Sequence, residues 1–236
     1  TQNAGSIFAT TANMTSGVKI EQSGGSISAT NANLTAGQAI AQTNGRLVAT
    51  NTVAKAGADL RLASELNKLQ NVTVDAQNGD ATIVSGNDAA GDLNVQTVGV
   101  VGNDLTITNL ANGVDNVIKV DKNLQANGNI VITNQEADIN VAQGASMSGA
   151  NVTLTATDDN VLVSGGEIKA TAENITFVAG NDVTINTGTI TAARNVAMQA
   201  ASNVTMGNGT VKATNGDVSM TAITGAISMK NGSISA

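Results

Sequence analysis

The chain has 236 residues, lacks Cys, Pro, His, Trp and Tyr, and carries 18 acidic against 11 basic residues for a net charge of −7. Scattered acids without a basic stripe argue against nucleic acid as a partner and against an anionic membrane surface, and no apolar stretch is long enough for a membrane-spanning helix. The absence of Cys excludes disulfides and thiolate chemistry and fits export through an oxidising compartment. With Phe8 and Phe177 as its only aromatic residues, the chain has to fill a core with Val, Ile, Leu and Ala rather than with rings.

Read from the N-terminus, the chain repeats every 20 residues. Gly5-Ser6-Ile7-Phe8-Ala9-Thr10 returns as Gly25-Ser26-Ile27-Ser28-Ala29-Thr30 and again as Gly45-Arg46-Leu47-Val48-Ala49-Thr50. Asn13-Met14-Thr15 returns as Asn33-Leu34-Thr35. Self-similarity at a fixed period marks an architecture of stacked units. In the next stretch, Leu62, Leu66 and Leu69 have helical spacing, which reads either as a short helical excursion from the stack or as a coil with a longer corner. Residues 65–143 are less regular but keep the same vocabulary, in Asn71-Val72-Thr73-Val74, Asp104-Leu105-Thr106-Ile107 and Asn129-Ile130-Val131-Ile132. The glycine-led phrase resumes at Gly144, Gly166, Gly188, Gly209 and Gly232, with spacings of 22, 22, 21 and 23 residues. The expected organisation is one repeat segment over 1–236, regular in 1–64 and 144–236 and less regular in 65–143. It begins and ends within its own pattern, as an interior piece of a longer chain would.

Each repeat holds three short alternating runs. In the coil from Gly166 these are Ile168 to Ala170, Ile175 to Ala179 and Val183 to Ile185. Ile175, Phe177 and Ala179 point one way and Thr176 and Val178 the other, the period-two pattern of a strand with one buried face. Runs of three to five residues between Gly, Asn and Asp corners are too short for hairpins or helices, and suit a solenoid. The expected fold is all-β: a right-handed parallel β-helix with coils of about 20–23 residues and three short strands in each. A left-handed β-helix is disfavoured because the coils do not repeat a hexapeptide. The lack of Pro agrees, since Pro would delete a ladder donor in almost any rung.

Coils built from phrases such as Gly188 to Ala192, Asn151 to Ala156 and Gly180 to Ile185 resemble the filamentous-haemagglutinin-like adhesins of two-partner secretion. The resemblance covers essentially the whole chain, and it is one of repeat grammar. It implies the shaft of a long secreted rod on a bacterial surface, serving adhesion or contact-dependent toxin delivery. The Asn-Pro motifs of that family's secretion domain have no counterpart in this Pro-free chain.

Three sets of residues invite a chemical reading. Asp158-Asp159 is the one adjacent acidic pair, and Arg46, Arg61 and Arg194 are the only arginines. A polysaccharide-degrading site would need paired carboxylates or a calcium-holding Asp cluster beside a base, whereas a solvated corner between Thr157 and Asn160 accounts for the pair. Gly86-Asn87-Asp88, Gly102-Asn103-Asp104 and Gly180-Asn181-Asp182 are similar to calcium-binding nonapeptide repeats but lack the nine-residue period; tight turns account for them. Asn-x-Thr/Ser triplets at Asn13, Asn33, Asn71, Asn151, Asn174, Asn203, Asn208 and Asn231 are glycosylation acceptors in form. The alternative is that these Asn residues close corners and form hydrogen-bonded ladders along the rod.

No catalytic residue, cofactor or metal ligand is assigned. The expected role is a non-enzymatic structural and adhesive rod segment of a large secreted bacterial surface protein. Its partner would be a receptor or glycan on a host or neighbouring cell, with no nucleic acid and no membrane insertion. A self-assembling extracellular fibre or sheath subunit, associating end to end, is the second reading. A polysaccharide-degrading enzyme is the third.

Overall fold

The computed structural model describes residues 1–86, 91–110 and 116–236, and among these every regular element is a β-strand. The strands form three parallel sheets wound into one solenoid. The first sheet has eleven strands, from Ser6–Ser16 to Ile227–Met229. The second has ten, from Lys19–Gln22 to Val218–Ala222, and the third has six, from Asn123–Gln125 to Ser233–Ser235. Each strand inside a sheet pairs with its equivalents one coil before and after. Ser6 faces Ser26 and Ser26 faces Arg46, while later Val152 faces Ile175 and Ile175 faces Val196. At about 4.8 Å per rung, eleven rungs make a rod of about 50 Å.

Identical or similar inward side chains stack along this axis. Ile83, Ile107, Ile132, Leu154, Phe177 and Met198 form one continuous column, every member at most 1% exposed. Burying such a side chain stabilises by about 1.5–3 kcal/mol, and a single coil could not achieve it without its neighbours. Phe177, the largest member, sits between Leu154 and Met198, where the unbranched Met adapts to the ring. Phe8, by contrast, points out of the first coil and is 77% exposed.

The early coils are not built from three separate strands. There, two of the runs fuse into one 11-residue strand: Ser6–Ser16, Ser26–Ala36 and Arg46–Ala56. In Arg46–Ala56, Leu47 and Ala49 are buried, Thr50 and Asn51 are both exposed, and Thr52, Ala54 and Ala56 are buried again. The alternation slips by one residue at Thr50-Asn51, so the strand bends there and its two halves face the core from two sides. With neither Gly nor Asp at the bend, the backbone stays extended enough to keep pairing.

The two halves lead to different sheets. The first halves continue from Asn71 facing Asn94 to Leu93 facing Ile118, then to Ile139 and Val161. The second halves continue from Val74 facing Thr97, whose Oγ1 accepts a hydrogen bond from Gln125 N at 3.0 Å. Val101 then bridges Ala126, whose N donates to Ser148 O at 3.0 Å, and the third sheet begins. The glycine-led phrase at Gly25 therefore lies on the side later held by Val161–Val163. The same phrase at Gly166 lies on the side held earlier by Asn33-Leu34-Thr35. Both sites ask only for an inward Ile or Leu followed by a small inward residue, so one phrase serves two sides.

The stretch from Arg61 to Leu69 is the longer corner, not a helix. Leu62 and Leu69 point inward at 2% and 0% exposure while Leu66 is 58% exposed, so the three do not share a face. Asn67 replaces them as the organiser. Its Oδ1 accepts from Gln42 Nε2 and from Leu47 N, each at 2.9 Å, and its Nδ2 donates to Gln42 Oε1 at 2.6 Å. Gln42 Nε2 also donates to Gln22 Oε1 at 2.9 Å. Farther along, Ser85, Asn109 and Asn134 stack as a second buried polar column, which Ala156, Ala179 and Ala200 continue in apolar form.

Candidate functional site

The chemistry of this fold lies on its walls and corners, where the backbone places the same kind of side chain in every coil. The corner entering the second sheet carries an Asx residue in eight successive coils: Asp59, Asp80, Asp104, Asn129, Asn151, Asn174, Asn195 and Asp217. The Oδ1 of every one but the last, Asp217, reaches the next coil. Asp59 accepts from Asp80 N at 3.1 Å, Asp80 from Asp104 N at 3.2 Å and Asp104 from Asn129 N at 2.6 Å. Asn151 accepts from Asn174 N at 2.9 Å, Asn174 from Asn195 N at 3.0 Å and Asn195 from Asp217 N at 2.8 Å. The step from Asn129 to Asn151 is made by side chains alone, Asn151 Nδ2 donating to Asn129 Oδ1 at 2.7 Å.

The corner leaving the second sheet carries a similar ladder. Asp138 accepts from Asn160 N at 3.0 Å, Asn160 from Asp182 N at 2.9 Å, Asp182 from Asn203 N at 2.7 Å and Asn203 from Ala226 N at 3.0 Å. These corner amides would otherwise lack a strand partner, and leaving such a group unsatisfied is costly. The ladders explain why Asn and Asp recur there: both offer a short side-chain acceptor at the same reach.

The triplet asparagines belong to such inter-coil bonds. Asn33 Nδ2 donates to Asn13 Oδ1 at 2.8 Å, and Asn231 Nδ2 donates to Asn208 Oδ1 at 3.1 Å. Asn71 links Asn51 and Asn94 at 3.1 and 2.9 Å. Asn151, Asn174 and Asn203 stand in the two corner ladders. Asp104 and Asp182, from two of the Gly-Asn-Asp triplets, are ladder acceptors as well. The third triplet, Gly86-Asn87-Asp88, places Asn87 and Asp88 outside the described residues.

Asp158 and Asp159 occupy the corner between the strands Val152–Ala156 and Val161–Val163. Asp159 Oδ1 accepts from Asn160 Nδ2 at 2.6 Å. Arg194 lies two coils on, its Nε 3.1 Å from Glu173 Oε2. Arg46 and Arg61 sit on the strands Arg46–Ala56 and Leu60–Leu62 near the other end of the stack. The fold distributes these residues over separate coils and does not bring them together.

Of the three walls, that of the second sheet changes character along the rod. Its first strands present Lys19, Glu21 and Arg61. Lys19 Nζ bonds Glu21 Oε1 at 2.7 Å and holds that carboxyl below the usual range. From Ala81–Ser85 to Val218–Ala222, seven consecutive strands then present no charge at all. One outward column reads Thr82, Thr106, Val131, Thr153, Thr176, Ala197 and Ser219. Its companion, two residues along each strand, reads Val84, Thr108, Thr133, Thr155, Val178, Gln199 and Thr221. The third wall is charged, with Glu167, Lys169 and Lys212 outward, and the first carries Arg46, Lys55, Lys68, Asp75 and Lys119 on its earlier strands but no charge on its last five, from Ile139–Val141 to Ile227–Met229. Alternation of Thr with apolar residues is plain in the sequence; only the register shows that the threonines align and that seven successive strands of this wall carry no charge.

Where the first sheet passes into the third, a shallow recess of about 160 Å³ is lined by Asn71, Thr73, Asn94, Gln96, Asp121 and Lys122 among others. Gln96 Nε2 donates to Thr73 Oγ1 at 2.8 Å along its floor. The recess offers amides, a hydroxyl, a carboxylate and an ammonium, which suits a polyhydroxylated ligand better than an apolar one.

No protein-family model, no curated protein and no solved structure matches this chain.

Proposed function

We propose that this chain is a structural and adhesive rod segment of a large secreted bacterial surface protein, holding binding surfaces away from the cell. The observation that carries it is the continuity of the stack: one sheet runs unbroken through eleven strands, so the chain is a spacer of fixed length whose walls repeat. Stability in such a stack sums over neighbouring coils, and the two Asx ladders tie each coil to the next at its corners. Secretion and the bacterial surface rest on the resemblance in repeat grammar and on the Cys-free composition. The ligand class is a receptor or glycan of a host or neighbouring cell, and the recess at Asn94 and Gln96, with its amides, hydroxyl, carboxylate and ammonium, is a part of the wall furnished for hydroxyl groups. Catalysis has no part in the proposal.

The test is a glycan-array and cell-binding screen of the purified chain, with Asn94→Ala combined with Gln96→Ala as the comparison. Binding that the double substitution removes supports an adhesive wall with its site at the recess. Binding that survives it moves the site elsewhere on the wall. Hydrolysis or elimination products released from any arrayed polysaccharide would contradict the proposal.

A further inference from the structure

We infer that the charge-free wall of the second sheet is a self-association surface, against which a second copy of the chain lies face to face. The inference rests on the rod reading and adds a partner to it. Fourteen outward side chains, two on each of seven strands, repeat at the rung spacing of about 4.8 Å. A partner of any other period falls out of step within a few rungs. A second copy has the same period by construction, so side chains that interdigitate at one rung do so at all seven, as between identical stacked sheets.

Charge and entropy point the same way. A chain with a net charge of −7 repels its copies, and over seven strands this wall adds no charge to that repulsion, the longest such stretch on the three walls, against five strands on the first sheet. Its Thr and Val side chains are stiff at χ1 and lose little freedom on burial. Seven rungs of five-residue strands span about 550 Å² on each partner, or about 1,100 Å² in total. That clears the roughly 1,000 Å² expected of a specific interface and places it in the weak, reversible class. A two-fold arrangement, parallel or antiparallel, sets the middle strand, Val152–Ala156, against its own copy. Thr153 and Thr155 then lie at the centre. The rim is acidic, with Asp80, Asp104 and Asp217 along one edge and Glu136 and Asp158 along the other, so screening by salt strengthens the association.

Sedimentation velocity of the intact chain over a concentration series tests this, at low and high salt. The comparison is Thr153→Lys with Thr155→Lys, and the control is Thr184→Lys on the first-sheet wall, each checked for an unchanged β-sheet spectrum. Chain and control are expected to form dimers that increase with concentration and salt, while the double-lysine variant associates about tenfold more weakly or less. A monomer at every concentration overturns the inference. So does association untouched by the two lysines, which would place it at the ends of the stack. A milder probe covers the case in which lysine disturbs folding. In Thr155→Cys the thiol is expected to react with a maleimide more slowly as protein concentration rises, whereas in Thr184→Cys the rate stays constant; equal behaviour of the two thiols overturns the inference.

Discussion

Asp104 and Gly128 fit each other across the gap between two coils. Asp104 Oδ1 accepts a hydrogen bond from Asn129 N at 2.6 Å, and a Cβ built on the preceding Gly128 would lie 2.2 Å from that oxygen and 2.9 Å from the carbonyl carbon of Asn103. The acceptor occupies the space that a side chain on residue 128 would need. Gly79 stands in the same relation to Asp59, at 2.2 Å. Glycine at these corners is a matter of room for the ladder.

Gly128→Ala is therefore expected to destabilise the chain by about 1–3 kcal/mol, the usual cost of overpacking. Asp104→Ala, which strands the Asn129 amide, is expected to cost about 1–2 kcal/mol. Because the alanine of the first variant collides with the oxygen removed in the second, the double substitution should cost less than the sum. Urea unfolding of the four proteins measures the coupling, and strict additivity would show that the two residues do not interact.

The corner ladder uses Asn174 as an acceptor: its Oδ1 takes hydrogen bonds from Asn195 N and Asn195 Nδ2, both at 3.0 Å. A carboxylate accepts the same two bonds. Asn174→Asp is expected to leave stability unchanged or slightly raised at neutral pH, whereas Asn174→Ala should lower it by about 1 kcal/mol. Thermal unfolding separates the two, and equal losses in both variants would show that the amide group itself, not its oxygen, is what the corner requires.

Thr52 is 1% exposed, in a column between Ala32 and Val72, and its Oγ1 has no hydrogen-bond partner. A buried hydroxyl without a partner costs about 1–3 kcal/mol. Thr52→Val, which keeps the branched shape, is expected to raise stability by about 1 kcal/mol, read as a higher urea midpoint with unchanged slope. A lower midpoint would mean that the hydroxyl is satisfied.

The sequence makes the coil legible because period-two alternation and Gly, Asn and Asp corners are local signals. Ile175, Phe177 and Ala179 are inward and Thr176 and Val178 outward, as alternation requires. The bend at Thr50-Asn51 leaves a fainter mark: two outward residues in succession, without Gly or Asp. The resulting exchange of sides between the phrases at Gly25 and Gly166 follows from pairing between distant coils, which no single window contains. Leu62, Leu66 and Leu69 imitate a helix because the partner that shapes the corner, Gln42, lies a coil away from Asn67 and both are polar. The ladders were half legible. Stacked asparagines are suggested by their period, but Asp104 and Asp182 read as turn or calcium residues until their oxygens are seen to cap the next coil. The charge-free wall needs the register, since Thr106 and Thr153 become neighbours of the same column only through Val131.

Pulling the chain apart by its two ends in a single-molecule force experiment tests the stacked rod most directly. A coil of about 21 residues releases about 70 Å when it peels from its neighbour, given about 3.3–3.6 Å of extended chain per residue and a rise of about 4.8 Å per rung. Extension in steps of about 70 Å, or small multiples of it, is the predicted result for a stack held by neighbour contacts. One event releasing about 800 Å at once would contradict it, because it would mean a single cooperative core in place of a rod assembled coil by coil.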